Sequence, residues 1–262
     1  MRLLISLSAI GAFPYDMRYH HNLQGFIYRL IKFSGYDGLH DRRGCKFFSF
    51  SNLIPPSRTV QPGSLKNLVI ASPDSDFVRA VQSEAKKVEG TVIKIGAMNF
   101  RLLDSRLLDA RLPEDFEECR LIAGTPIVVR IPRYRLPEYG IKPARDYEYV
   151  YWRKDYTPTA FVKQLEENLI KKYKEYCDME AGTTMPLFEK LRFKKQVAIP
   201  LEMKGQEATI IGTLWDFHFN PLNGLKRDIL QFGLDAGIGE MNSLGFGFMN
   251  LMKGDIHREE AI

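Results

Sequence analysis

The spacing of apolar residues changes several times along the chain, and each change marks an element. Residues 2–9 form a short apolar run around Leu3, Ile5 and Leu7, which predicts a buried strand. Residues 20–34 switch to helical spacing, with Leu23, Phe26, Ile27, Leu30 and Ile31 on one stripe. Strands are predicted over 46–53, closed by Pro55-Pro56, and over 65–71. A helix is predicted over 75–88, with Asp74 or Ser75 as N-cap. Residues 92–95 and 100–103 return to strand character. The order strand-helix-strand-strand-helix-strand is that of a ferredoxin-like unit.

The second half repeats that order without repeating the sequence. An apolar strand over 121–131 ends at Pro132, and a loop rich in Pro, Tyr and Arg follows. A helix is predicted over 158–177, because Phe161, Leu165, Leu169 and Tyr173 recur at steps of four. Strands near 191–202 and 207–219 lead to a helix over 221–236, with Leu222, Leu225, Ile229 and Phe232 on its apolar face. A glycine-rich loop and a strand at 245–252 follow. The expected fold class is α+β: two tandem ferredoxin-like (RRM-like, βαββαβ) domains. They span 1–115 and 120–253, and a polar tail covers 254–262.

Composition narrows the class. Of the 262 residues, 45% are hydrophobic and 26% charged, which supports a core that needs no covalent staples. The 3 cysteines show no CxxC spacing, so neither a disulfide framework nor a structural zinc site is expected, and a cytoplasmic location fits. No apolar run reaches the roughly 18 residues of a membrane span. The formal net charge of +5 permits a polyanionic partner without demanding one.

Candidate chemistry concentrates in three places. The first is Gly237-Ile238-Gly239-Glu240-Met241-Asn242-Ser243-Leu244-Gly245-Phe246-Gly247, two Gly-x-Gly pairs between a helix and a strand. Such a loop presents amides to a phosphate, or it is only a tight helix-to-strand turn. The dinucleotide fingerprint is a poor match, since that loop follows a strand and opens a helix. The second place is residues 21–46. Tyr28 falls on the polar side of the first helix. His40 lies in the following loop, and imidazole is the side chain suited to proton transfer near neutral pH. Lys46 opens the next strand, with Arg42 and Arg43 close by. Alone, Tyr28 reads equally as a partly buried amphipathic tyrosine, His40 more readily as a surface residue and Lys46 as an ordinary strand-end lysine. The third is a set of cations among aromatics over 130–154, including Arg133, Arg135, Tyr134 and Tyr147, and an alternating Lys190, Arg192, Lys194 stripe. Phosphate binding and base stacking use such mixtures, and so does an ordinary covering loop. The helix over 163–174 mixes Lys163, Lys171, Lys172 and Lys174 with glutamates and reads as a solvated face. Asp216 with His218, the adjacent His20 and His21, and His257 offer no metal-ligand spacing, so no metal and no cofactor are expected.

The glycine loop resembles the signature of the Cas6 branch of the repeat-associated RNA-binding superfamily: Gly-apolar-Gly, five residues, Gly-apolar-Gly, before the final strand. Leu23-Gln24-Gly25-Phe26-Ile27-Tyr28, Leu39-His40-Asp41 and Lys46-Phe47-Phe48-Ser49-Phe50-Ser51 are similar to the catalytic region of archaeal members. The resemblance implies a metal-independent endoribonuclease that cuts CRISPR repeat RNA through a Tyr28–His40–Lys46 triad. It implies RNA contacts from Arg42, Arg43, Arg133, Arg135, Lys190, Arg192, Lys194, Gly237, Gly239, Asn242, Ser243, Gly245 and Gly247. The implied partner is CRISPR precursor RNA; a CRISPR effector complex and a homodimer stay open, and no membrane is involved. Two alternatives stand beside it: a non-catalytic repeat-RNA-binding subunit of an effector complex, and an acylphosphatase-like small-molecule hydrolase.

Overall fold

Strand β1 (Arg2–Ala9) alternates buried Leu3, Ile5 and Leu7 with half-buried neighbours, so one face is committed to a core. The computed structural model describes residues 1–15, 19–42, 44–113, 118–143, 145–179, 185–203, 206–220 and 224–252. After β1 come α1 (Tyr19–Ile31), β2 (Ser49–Phe50), β3 (Leu65–Ala71), α2 (Ser75–Lys87), β4 (Val92–Ile95) and β5 (Met98–Leu108). They form an antiparallel sheet of order β2-β3-β1-β5-β4. This is the ferredoxin-like arrangement with β4 added at one edge as a hairpin partner of β5. Asp74 caps α2, its carboxylate accepting from the amides of Asp76 and Phe77 at 3.0 Å each.

A second sheet follows, built from β6 (Cys119–Ala123), β7 (Lys190–Met203), β8 (Gln206–Phe219) and β9 (Met249–Met252), with α3 (Pro158–Cys177) and α4 (Gly224–Ala236). Its order, β7-β8-β6-β9, again antiparallel, is the ferredoxin-like order. Each unit has its own core. Leu3, Phe26, Phe50 and Phe100 belong to the first, and Phe161, Trp215, Phe217 and Ile229 to the second. Among the described residues, no helix is long and apolar enough to cross a membrane.

Three expectations need correction. The strand expected over 46–53 is only Ser49–Phe50. Phe47 has φ +48, which breaks the extended run, and its ring turns to Tyr176 and Phe232 of the second unit. The strand expected over 121–131 stops at Ala123. The amides of Gly124 and Thr125 there turn to the Phe248 carbonyl, and Pro126 has no amide to donate. Residues Arg130–Pro132 pair instead with Tyr149–Tyr151. Lys172, read as solvated, is 5% exposed. Arg43, Leu222, His257 and the 254–262 tail lie outside the described residues.

The units are tied together by polar contacts. Arg2 reaches across to donate to the carbonyls of Leu234 (2.9 Å) and Met249 (2.7 Å), and its guanidinium lies over the Phe248 ring. The β7–β8 ribbon overruns its sheet, because β8 pairs with β6 only over Asp216–Phe219. Beyond that stretch, Leu201 and Ile210 pack with Val128, Leu244 and Phe246 as a third apolar cluster.

Candidate functional site

Helix α1 buries its Leu23–Ile27–Leu30 stripe, which leaves Tyr28 half-buried on the helix flank. The chain then leaves the helix through Gly35 (φ +83) and a single 3-10 turn, Asp37–Leu39, which His40 closes. Lys46 lies in the irregular segment before β2. Its ammonium donates to the Tyr28 hydroxyl at 2.9 Å and to the His40 carbonyl at 2.7 Å. It also sits 5.1 Å from the centroid of the Tyr28 ring. The rings of Tyr28 and His40 meet edge to face at 5.1 Å. His40 Nδ1 lies 2.7 Å from the Asp41 carboxylate. Three side chains from a helix, a loop and a strand approach thus meet at one point.

Burial pushes the Tyr28 phenol up to about 12, so it holds its proton at neutral pH. Burial also lowers the Lys46 ammonium, and the charge of Asp41 opposes that shift. Beside the cluster opens a recess of about 260 Å³ lined by Tyr28, Arg29, Lys32, Asp37 and His40. Two further cations, Arg29 and Lys32, therefore face the same space.

The glycine loop is closed by contrast. Gly237, Gly239, Gly245 and Gly247 are buried with φ between +66 and +90. A Cβ on Gly247 would lie 1.9 Å from the Ile238 carbonyl oxygen, and one on Gly245 would lie 2.6 Å from the Phe50 ring. The amides of Gly237, Ile238, Glu240, Gly245 and Gly247 all donate to backbone carbonyls of the protein. Lys172 of α3 points its ammonium into the loop, donating to the carbonyls of Gly237 (2.7 Å) and Gly239 (2.9 Å) and to Asn242 Oδ1 (2.8 Å). Burial lowers that ammonium to about 8. Asn242 in turn donates to the carbonyls of Ile238 and Phe246, linking the two Gly-x-Gly pairs.

From the other side, α1 reaches the loop. Gln24 Nε2 donates to the Ser243 carbonyl at 2.8 Å. His20 Nδ1 is 2.9 Å from the Leu244 carbonyl, which can only accept, so that nitrogen carries the proton. The His20 ring stacks on Phe246 at 4.6 Å and 7°, and burial lowers it to about 4, leaving it neutral. The sequence reading set His20 aside as a weak metal candidate and missed this role. The signal was available: His20, Gln24 and Tyr28 stand four residues apart and share one helix face.

Between the 44–48 segment, α3 and the glycine loop lies a cleft of about 400 Å³. Lys46, Arg130, Lys171, Asn242 and Ser243 are among its walls, which joins the Tyr28 cluster to the loop through one groove. Arg130 is ion-paired with Glu240, and its guanidinium lies 4.8 Å from the Tyr149 ring centroid. A larger recess of about 790 Å³ lies between the 52–58 loop and the β7–β8 ribbon, with Arg58 and Lys195 as its cations.

Other expected residues sit apart from these grooves. Lys190, Arg192 and Lys194 are exposed, but a bulge between Phe193 and Lys195 interrupts their alternation. Lys194 is held 2.9 Å from buried Asp216, which Arg120 also binds at 2.6 Å. Arg133 pairs with Asp146 at 2.8 Å and Arg135 with Glu167 at 2.5 Å. Arg42 lies over the Phe47 ring at 5.3 Å. Of the 130–154 aromatics, Trp152 is core, whereas Tyr134 is 78% exposed. Among the described residues, no three His, Cys, Asp or Glu side chains gather as a metal site.

Known proteins resemble the chain over nearly its whole length. Residues 111–251 match the family model described as CRISPR associated protein Cas6, C-terminal. The chain is 29% identical to CRISPR-associated endoribonuclease Cas6 2 of Methanocaldococcus jannaschii, over 97% of this chain and 100% of that one. It is 30% identical to CRISPR-associated endoribonuclease Cas6 of Haloferax mediterranei, over 97% of this chain and 94% of that one. A solved structure titled as an RAMP protein binding different RNA substrates superposes with a TM-score of 0.71 at 19% identity, over 97% of this chain and 100% of that one. That likeness shows the tandem ferredoxin-like fold, and with the family model and the two relatives it leads to one conclusion: the chain belongs to the Cas6 family of CRISPR-associated proteins.

Proposed function

We propose that this protein is a metal-independent endoribonuclease that binds CRISPR repeat RNA in the precursor transcript and cuts it to release guide RNAs. The observation that carries the reading is the Lys46 ammonium bridging the Tyr28 hydroxyl and the His40 backbone, beside a basic recess. Its family membership, with relatives named as CRISPR-associated endoribonucleases, supports the same reading.

In the proposed reaction a ribose 2′-hydroxyl attacks the adjacent phosphorus and the 5′-oxygen leaves. The products are a 2′,3′-cyclic phosphate and a 5′-hydroxyl. With Nδ1 directed at the Asp41 carboxylate, His40 presents Nε2 as the proposed base that takes the 2′-hydroxyl proton. The Tyr28 phenol, which accepts from Lys46 and is protonated at neutral pH, donates that proton to the leaving 5′-oxygen. Lys46 offsets the charge growing on the phosphoryl oxygens.

RNA contacts are assigned to Arg42, Arg43, Lys190, Arg192 and Lys194, to Arg133 and Arg135, and to Asn242 and Ser243 at the cleft wall. Gly237, Gly239, Gly245 and Gly247 enter as the residues whose missing side chains give the loop its shape. The proposed division places the triad in a domain over 1–115 and the loop in a domain over 120–253. The test is incubation with repeat RNA in excess chelator, followed by end-group analysis. Cyclic-phosphate ends, lost when the scissile ribose is 2′-deoxy, are expected. Cleavage that needs a divalent ion overturns the mechanism, and tight binding without any cut favours the RNA-binding subunit instead.

A further inference from the structure

Helix α1 carries one row of polar side chains, His20, Gln24 and Tyr28, at successive steps of four. The row runs about 12 Å along the helix. Its first two members are bonded to consecutive carbonyls of the glycine loop, Leu244 and Ser243. Its third holds Lys46 and meets His40. The loop is itself held from behind, because Lys172 gathers Gly237, Gly239 and Asn242 onto α3. Gly245 has no side chain where His20 Nδ1 and the Phe50 ring approach, so the glycine is what lets α1 seat so closely.

We propose that Gln24 and His20 are positioning residues for Tyr28: they peg α1 to the glycine loop and thereby set the placement of the Tyr28 hydroxyl in the cleavage site. The loop then serves catalysis as a brace for the helix, through its carbonyls, while the amides of Gly237, Ile238, Glu240, Gly245 and Gly247 are bonded within the protein. The inference rests on the catalytic reading of Tyr28 above. It goes beyond that reading by assigning two residues that bond to the loop's carbonyls. A misplacement of about 1 Å in a reacting group can cost about a hundredfold in rate, so pegs about one and two turns away have leverage.

The experiment is a double-mutant cycle in single-turnover cleavage of a synthetic repeat RNA that the wild-type protein cuts. Gln24→Met keeps length and removes the donor; Tyr28→Phe removes the hydroxyl; the third variant carries both. Gln24→Met is expected to slow the cut about tenfold with RNA affinity unchanged, and to add nothing in the Tyr28→Phe background. A purely structural role for Gln24 would slow both backgrounds by the same factor, and that result overturns the proposal. So does a Gln24→Met protein that cuts at the wild-type rate while Tyr28→Phe is slow. Should Tyr28→Phe itself cut at full rate, the catalytic reading fails first, visibly in that variant alone, and this inference falls with it. His20→Phe keeps the stack on Phe246 and deletes the N–H; it passes through the same cycle and decides the matter where Gln24→Met fails to fold.

Discussion

The glycine loop is the more specific signal in the sequence and the Tyr28–His40–Lys46 cluster the weaker one, yet the fold treats them in opposite ways. The cluster is open: the His40 side chain is 68% exposed and faces a basic recess. The loop is closed, its glycines buried, the amides of Gly237, Ile238, Glu240, Gly245 and Gly247 committed and a lysine driven into its carbonyls. The difference teaches what a glycine pattern reports. Four glycines say that something must approach the backbone closely. At Gly245 and Gly247 that something is the protein itself, in Phe50, His20 and the Ile238 carbonyl.

The contrast breaks most visibly at His40. If the open cluster carries the chemistry, His40→Ala lowers the single-turnover cleavage rate by about 10²–10⁴-fold with little change in RNA affinity. A loss of affinity with an unchanged rate at saturation would move His40 out of the chemistry.

The closed loop is sharpened by stability. Gly247→Val forces a Cβ onto a carbonyl oxygen in backbone with φ +66, and a loss of about 4 kcal/mol in denaturant unfolding is expected. Gly11→Ala, at a site with open space, is expected to change stability by less than about 0.5 kcal/mol.

The next effect depends on pH. His20 is pushed down to about 4, whereas an unfolded-chain histidine titrates near 6.5. Below about 6.5 the unfolded chain takes up a proton that the folded protein refuses. The stabilising contribution is therefore whole above that pH and is lost as pH falls toward about 4. The loss amounts to about 3 kcal/mol. Urea unfolding at stepped pH, wild type against His20→Phe, reads it; equal slopes for the two proteins would show that His20 titrates freely.

The smallest effect concerns the exposed stripe. Lys190→Ala with Arg192→Ala is expected to cut the salt dependence of RNA binding by about 0.7 log unit per lost phosphate contact. Lys194→Ala should change it less, because Asp216 already holds that ammonium. Identical slopes for all three positions would contradict the pairing.

Elements with strict periods were legible in the sequence. The stretch predicted as helix over 158–177 is Pro158–Cys177 in the structure, and Asp74 caps α2. Period failed where one unit reaches into the other. Phe47 reads as strand because it is aromatic among aromatics, but its ring belongs to the second core, and that long-range contact sets its backbone. Lys172 reads as solvated because its neighbours are charged, and only the folded glycine loop supplies its three acceptors. At the candidate site, the identities of Tyr28, His40 and Lys46 were visible, but the ammonium bridge between them was not. It depends on the 3-10 turn at Asp37–Leu39 folding His40 back.

The overrunning β7–β8 ribbon has a dynamic consequence. Leu201 and Ile210 lie on Val128, Leu244 and Phe246, so the ribbon roofs the very segments that receive the loop's amides. Water is expected to reach the buried Gly247 amide only after that roof lifts. Ribbon and loop are thus one cooperative opening unit, and their amides should exchange with deuterium at a shared, slow rate, well behind the open turn around His40.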